Sequence, residues 1–159
     1  DIDAAIRYGD GHWVGLNSDF LVADELLLVC SPEIASSLPS INQLHQLKNQ
    51  TLIHCSLESD EWEDWLAATK NKTFTHTNWL DLDSRGLVLE AASSGLGVAI
   101  GRMPYVAEYL KSGKLVEPYS TRVKSGKGYY LVYPEHHANF QNVIHLRDWL
   151  LDECITSSV

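Results

Sequence analysis

Residues 81–102 read Asp-Leu-Asp-Ser-Arg-Gly-Leu-Val-Leu-Glu-Ala-Ala-Ser-Ser-Gly-Leu-Gly-Val-Ala-Ile-Gly-Arg, the pattern of a helix closed by glycine and followed by a buried strand. Asp83 or Ser84 can cap that helix by accepting hydrogen bonds from its first backbone N–H groups, and Leu87, Val88, Ala91 and Ala92 recur at helical spacing on one face. Gly95 can take the left-handed conformation that satisfies the last carbonyls. Gly97 lets the returning backbone pass close to the helix, and Val98, Ala99 and Ile100 make a short apolar strand. Two polar edges result, at Asp83 to Arg85 and at Gly101 to Met103, and they suit a ligand-facing edge better than a reaction centre.

Working outward, strand and helix alternate. Ala4 to Tyr8 reads as a buried strand with almost nothing before it, and Gly9 to Leu16 as a glycine-rich loop carrying His12 and Trp13. Asp24 to Ser31 is a near-continuous apolar strand stopped by Pro32, a run that suits a strand covered on both faces. Short helical stretches follow around Glu33 to Leu38 and Ile41 to Leu47, then a strand at Thr51 to Cys55 and a helix at Glu61 to Ala68. In that helix Trp62 and Trp65, three apart, read as packing residues. Phe74 to Leu80 reads as a strand leading into the 81–102 cassette, and Pro104 to Ser112 as a helix ended by Gly113. Leu115 to Pro118 and Gly126 to Pro134 read as strands, and the chain closes on a helix whose apolar face is Phe140, Val143, Ile144, Leu146, Trp149 and Leu150. Alternating elements of this kind predict an α/β fold with a largely parallel sheet, helices on both faces and ligands outside the carboxyl ends of the strands. The two strong strands at 26–31 and 128–133 bracket about a hundred residues able to form a lobe of their own.

Composition bounds the function. The 159 residues are 45% hydrophobic, enough to bury a core, and carry a formal net charge of −9. A grip on a phosphate backbone needs clustered cations, whereas the loose group Lys111, Lys114, Arg122, Lys124 and Lys127 reads as solvated surface. No apolar run reaches the roughly 20 residues of a bilayer span, and Asp-Ile-Asp-Ala-Ala lacks the basic and apolar segments of a signal peptide. Cys30, Cys55 and Cys154 are odd in number and far apart, which suits reduced thiols in a cytosolic protein.

Catalytic chemistry finds little support. There is no Gly-x-Ser-x-Gly elbow, and Ser94 lacks the glycine such a turn requires. His54 and Cys55 are adjacent on a strand and point to opposite faces, so they form no couple, and the adjacent pair His136-His137 reads as loop polarity rather than a metal site. Walker and Rossmann glycine motifs are absent, and no cofactor is expected. What remains is a set of polar groups at strand ends and one helix start. Asp83, Ser84 and Arg85 open a helix whose first N–H groups favour an anion, and Arg7 and Arg102 can each add a charge-assisted hydrogen bond. Each has a plainer reading: Ser84 as a cap, Arg7 paired with Asp3 or Asp10, Arg102 facing solvent, His54 as a satisfied strand-end histidine. Tyr129 and Tyr130 alternate across the sheet, one toward the core and one toward an edge or cleft.

Asp1-Ile-Asp-Ala-Ala-Ile-Arg-Tyr-Gly-Asp-Gly-x-Trp-x-Gly-Leu, then Leu-Val-Cys-Ser-Pro, Leu-Ile-His with Trp-x-x-Trp-Leu, and Asp-Ser before Leu-Glu-Ala-Ala-x-x-Gly-Leu-Gly-Val-Ala-Ile-Gly, resemble in order and spacing the effector-binding domain of LysR-type transcriptional regulators, closest to the glycine-cleavage and β-lactamase regulators. The resemblance covers Asp1 to about Glu153. It implies two Rossmann-like lobes joined by two crossover strands, a periplasmic-binding-protein-like fold of type 2, with lobe I incomplete. Lobe I and the first crossover would fall in 1–30, lobe II in 31–126, and the second crossover with the lobe I C-terminal helix in 127–159. It implies a small effector, for which the helix start and the arginines favour an anion, held in the interlobe cleft by Arg7, Tyr8, His54, Ser56, Asp83, Ser84, Gly101, Arg102 and Tyr129. In the β-lactamase regulators the serine matching Ser84 and the tyrosine matching Tyr129 face the effector. Arg85-Gly86 departs from those proteins, so their cell-wall peptide ligand is not transferred. The resemblance further implies a cytoplasmic homodimer or tetramer that meets DNA only through an N-terminal winged helix-turn-helix absent from this sequence, with no membrane contact and no enzymatic activity. A periplasmic-type solute-binding protein of a transport system is the alternative.

Overall fold

The computed structural model of the chain describes residues 2–38, 44–57, 61–71 and 73–156. Its elements are β1 (Ala5–Gly9), β2 (Leu16–Val29), α1 (Pro32–Ser37), β3 (Leu52–Cys55), α2 (Glu61–Ala68), β4 (Trp79–Leu82), α3 (Arg85–Ser93), β5 (Val98–Arg102), α4 (Ala107–Lys111), β6 (Val123–Pro134) and α5 (Gln141–Thr156), with 3₁₀ turns at Leu44–Asn49 and Glu135–His137. The chain divides into two compact units, one of residues 1–24 with 124–159 and one of residues 25–123.

In the unit 25–123, the end of β2 pairs antiparallel with β5, and β5, β3 and β4 follow in parallel. Alternation along β2 explains its unbroken apolar run. Leu26, Leu28 and Cys30 enter one core cluster with Leu47, Leu52, Trp62, Trp65 and Ile100, while Leu27 and Val29 enter another with Ile53, Val88, Ala92, Ala99 and Val106. Both faces are thus covered, as such a run requires. The helix at Glu61 to Ala68 has the expected bounds, and both tryptophans pack, with Trp62 and Trp65 4% and 0% exposed.

The cassette behaves as its glycines dictate, with three changes. Helix α3 ends in a Schellman motif: Gly95, at φ +78°, donates to the Ala92 carbonyl and Leu96 to that of Ala91, at 3.1 and 3.0 Å. Its buried face is Val88, Leu89, Ala91 and Ala92, whereas Leu87 is exposed. Ser84 occupies the N-cap position and its carbonyl accepts from Val88 N–H, but its side chain makes no capping bond. Gly97 packs not against the helix but against the chain entering β3, where a Cβ would lie 2.3 Å from the Thr51 carbonyl oxygen.

In the other unit, β1 pairs antiparallel with β6 in the register Ala5↔Val132 to Gly9↔Gly128, and β6 lies beside β2. The core there is Leu21, Leu131, Tyr133 and Val143, with Leu150, Leu151 and Cys154 against it. Burial, and then the hydrogen bond that Tyr133 donates to Asp19 at 2.7 Å, push the Tyr133 phenol above its usual range.

Several expectations are corrected. The sheet is mixed rather than largely parallel, because β2 and β1 each run against their neighbour. β1 is exposed at Ile6 and Tyr8 and stands at the end of the sheet, paired among the described residues with β6. β2 begins at Leu16, eight residues before Asp24, and its opening stretch carries the polar run Asn17-Ser18-Asp19, which gives no apolar signal of a strand. The strand expected at 74–80 is β4 at 79–82, while before it His76 is tied by its side chain to a distant segment, with Nε2 2.8 Å from the Gln50 carbonyl oxygen. Residues 115–118 contribute one bridge, Cys30 to Val116, and α4 begins at Ala107 after a turn rather than at Pro104. Helix α5 buries Val143 and turns Leu150, Leu151 and Cys154 inward, leaving Phe140, Leu146 and Trp149 exposed. The helical stretch expected at 41–47 is a 3₁₀ turn from Leu44, and 41–43 lie outside the described residues.

The three thiols differ in reach. Burial pushes the Cys30 thiol up to about 11, Cys55 is buried, and Cys154 is half-buried. Because the thiolate is the reactive form, iodoacetamide at pH 8 is expected to label Cys154 in the folded chain and all three cysteines only after denaturation. Mass spectrometry showing native Cys30 labelled as fast as Cys154 would contradict this burial.

Candidate functional site

Because β3, β4 and β5 are parallel, their carboxyl ends lie along one edge of the unit 25–123. Ser56 follows β3, Asp83 and Ser84 follow β4 and lead into α3, and Arg102 closes β5. That edge is where an open α/β sheet presents residues to a ligand. Asp83, Ser84 and Ser56 are exposed, and Ser56 binds the Leu82 carbonyl through both its N–H, at 2.8 Å, and its hydroxyl, at 3.1 Å.

His54 is held in place. Its Nδ1 lies 3.1 Å from Asp81 Oδ1, its cross-strand neighbour in the β3–β4 register, and its ring meets Trp79 edge-on at 6.3 Å. Gly101 is buried, and a Cβ there would sit 3.1 Å from both Val106 and Val29, so it serves core packing rather than ligand contact. Arg102 does not face open solvent: its side chain is 16% exposed, and its Nε is 3.7 Å from Glu61 Oε1.

Glu61, which sequence reasoning did not single out, organises this edge. It is the first residue of α2 and 6% exposed, and the same Oε1 accepts a hydrogen bond of 2.7 Å from Arg85 Nη1. An arginine as first residue of α3 sits at the positive end of that helix dipole, which a carboxylate nearby offsets. The Arg85 guanidinium also lies 5.2 Å from the exposed Tyr105 ring. The missed signal was phase: Glu61 stands four residues before the fully buried Trp65, on the inward face of the helix.

The unit of 1–24 and 124–159 holds a second group. The Tyr8 hydroxyl donates to Asp24 Oδ2 at 2.7 Å, the Tyr8 and Tyr129 rings lie 5.2 Å apart, and Lys127 Nζ is 5.8 Å from the Tyr8 ring. Asp24 is fully buried; its place two residues before Leu26 in the alternating strand was the overlooked sign. Arg7 is exposed, and neither Asp3 nor Asp10 takes it: Asp3 meets His137 and Asn142, and Asp10 the His12 backbone. Tyr129 faces Tyr8, while Tyr130, on the opposite side of β6, meets Trp13 and Phe20 edge-on at 5.6 and 5.4 Å. His137 is more than loop polarity, since its side chain is 12% exposed and stacks on Phe140 at 4.4 Å.

Among the described residues no three His, Cys, Asp or Glu side chains gather as a metal site, and no helix is long and apolar enough to cross a membrane. An open hollow lined by Leu44, Lys48, Asn71 and Phe74 contains none of the predicted contact residues. The carboxyl edge thus carries the exposed hydroxyls of Ser56 and Ser84 and the guanidinium groups of Arg85 and Arg102, whose side chains are 16% exposed.

Residues 1–155 match the family model of the LysR substrate binding domain, and the chain belongs to that family. It is 30% identical over 154 residues to the glycine cleavage system transcriptional activator of Escherichia coli (strain K12), covering 95% of this chain and 49% of that protein. It is 32% identical over 152 residues to the transcriptional activator AmpR of Pseudomonas aeruginosa, covering 95% and 50% respectively. The chain thus spans about half the length of these curated relatives. The AmpR effector domain of P. aeruginosa superposes with a TM-score of 0.71 at 29% identity, over 98% of this chain and 73% of that one. The AmpR effector binding domain of Citrobacter freundii gives 0.72 at 26% identity, over 98% and 76%. The fold is accordingly the α/β, periplasmic-binding-protein-like type 2 fold of those domains.

Proposed function

We propose that this chain is the effector-sensing part of a LysR-type DNA-binding transcriptional regulator, binding a small anionic molecule rather than turning one over. The observation that carries the reading is the edge where Ser56, Asp83, Ser84 and Arg102 come together in a chain that matches the substrate binding domain along almost its whole length. His54 stands beside them, fixed by Asp81. Arg7, Tyr8 and Tyr129 are proposed as effector contacts on the other unit, with Tyr8 and Tyr129 held against each other. Gly101 is retained only as the packing residue that lets Arg102 emerge.

In this reading the two compact units are the two lobes of the effector domain, and binding shifts a conformational equilibrium that the DNA-binding part reports. The whole regulator is proposed to be cytoplasmic and to work as a homodimer or tetramer, meeting DNA through a separate helix-turn-helix. The relatives' names as transcriptional activators support this assignment.

The test is thermal melting against a panel of small carboxylates and amino acids. A ligand at a hundred times its Kd is expected to add about 2.7 kcal/mol of stability. The double variant Ser84→Ala, Arg102→Ala is expected to bind that ligand at least tenfold more weakly. An unchanged shift in the double variant would remove the site assignment.

A further inference from the structure

We propose that the hollow at the amino ends of β3 and β4 binds a small organic phosphate, as a second ligand site set apart from the carboxyl edge. Residues 44–49 lead into β3 and residues 71–75 lead towards β4, and the two strands are parallel. The hollow between those segments therefore lies at the end of the strands opposite Ser56, Asp83 and Ser84.

Four observations carry it. First, the hollow has a volume of about 390 Å³, within the range of small-ligand pockets. Second, its charge runs against that of the chain. The protein holds 21 Asp and Glu residues and a net charge of −9, yet no Asp or Glu falls in 34–57 or 65–80, the stretches that supply the walls, while Lys48 and His45 line it. Such a local field favours an anion. Third, the donors are uncommitted: His45, Lys48, Thr73 and Thr75 are exposed, and their side chains make no hydrogen bond or ion pair among the described residues. A flexible ammonium with two hydroxyls and an imidazole around it suits the three terminal oxygens of a phosphomonoester better than the two of a carboxylate. Leu44, 4% exposed, and the half-buried Phe74 give the organic part of such a ligand an apolar contact. Fourth, one wall is held before any ligand arrives. Lys70, at φ +60°, turns the chain out of α2, Asn71 N–H donates to the Leu66 carbonyl at 2.8 Å, and Asn71 Nδ2 to that of Thr69 at 2.9 Å. Phe74 N–H donates to the Asn71 carbonyl at 2.9 Å, and its ring stacks on His76 at 5.9 Å. Binding then has little ordering cost on that side. The alternative is a solvated hollow with no ligand of its own.

The probe is phenyl phosphate, titrated at pH 7 and constant ionic strength into the ¹⁵N-labelled chain, with phenol as the uncharged comparison and inorganic phosphate as the bare headgroup. Amide resonances of Leu44, Lys48, Thr73 and Thr75 are expected to shift saturably with phenyl phosphate, while phenol produces no saturable shift and inorganic phosphate moves the same resonances at higher concentration. Lys48→Ala is expected to raise the half-saturating concentration about tenfold, as the loss of one charge-assisted hydrogen bond implies. Lys48→Gln, which keeps the aliphatic stem, is expected to bind as weakly, and Thr73→Val with Thr75→Val to weaken binding as well. Phenol matching phenyl phosphate, native binding in Lys48→Gln, or shifts confined to Ser56, Ser84 and Arg102 would each overturn the proposal. Inorganic phosphate binding as tightly as phenyl phosphate would overturn the organic part of the assignment. None of the substituted residues belongs to the carboxyl edge, so this experiment fails separately from the effector assignment.

Discussion

Gly97→Ala is expected to destabilise the unit 25–123 by about 3 kcal/mol, at the upper end of what an inserted methyl costs a packed interior. The added Cβ would lie 2.3 Å from the Thr51 carbonyl oxygen and 3.0 Å from its carbon. Both are backbone atoms, and the oxygen already accepts the Val98 N–H at 2.9 Å. No rotamer change relieves this contact; β3 and β5 must separate where they begin to pair, Leu52 against Val98. Urea unfolding followed by tryptophan fluorescence reads the effect, with Trp62 and Trp65 buried in the same unit. Gly95→Ala is the control. It meets nothing nearer than Ser31 Oγ at 3.6 Å, so it carries only the cost of a side chain at φ +78°, roughly 1 to 2 kcal/mol. Equal losses in the two variants would mean that Gly97 acts through conformation and not through closeness to Thr51.

That contrast marks the limit of what the sequence discloses. A glycine that stops a helix leaves a local signature, and Gly95 was legible for that reason. The partner of Gly97 lies 46 positions away along the chain, and pattern alone assigned it to the nearer helix. The same division runs through the fold. The apolar run Leu26 to Cys30 and the bounds of α2 follow from burial on both faces and from helical phase, which are local properties. The direction of β2 against β5, the late start of β4 and the inward face of α5 depend on which neighbour supplies hydrogen bonds or apolar cover, and periodicity does not name the neighbour. In α5 the apolar residues are spread around the axis, so Leu146 and Trp149 compete with Leu151 and Cys154 for the core. Among the candidate site residues, the positions of Arg102 at the end of β5, Ser84 before α3 and His54 near the end of β3 were legible from the order of elements. Glu61 and Asp24 were not, because a carboxylate inside an apolar phase reads as surface until its cation or hydroxyl partner is known.

Trp65→Ala is expected to cost the unit 25–123 about 4 kcal/mol, the range for deleting a buried large aromatic side chain. Trp65 is 0% exposed and belongs to the cluster of Leu26, Leu28, Leu47, Leu52, Val98 and Ile100, so the cavity opens against three strands. Its ring meets Tyr119 edge-on at 5.5 Å, and its Nε1 donates to the Thr121 carbonyl at 3.3 Å. The side chain therefore holds residues 119–121, which lie outside any regular element, against α2. Two effects are separable. Trp65→Phe keeps most of the ring contact but removes the donor, and is expected to cost about 1 to 2 kcal/mol, the penalty of a lost hydrogen bond plus a partial void. Hydrogen exchange across 119–122 should then accelerate in both variants, by more in Trp65→Ala. If exchange there stays at the native rate while global stability falls, Trp65 fills the core without anchoring the segment, and that segment's order must come instead from the Arg122–Glu117 pair beside it.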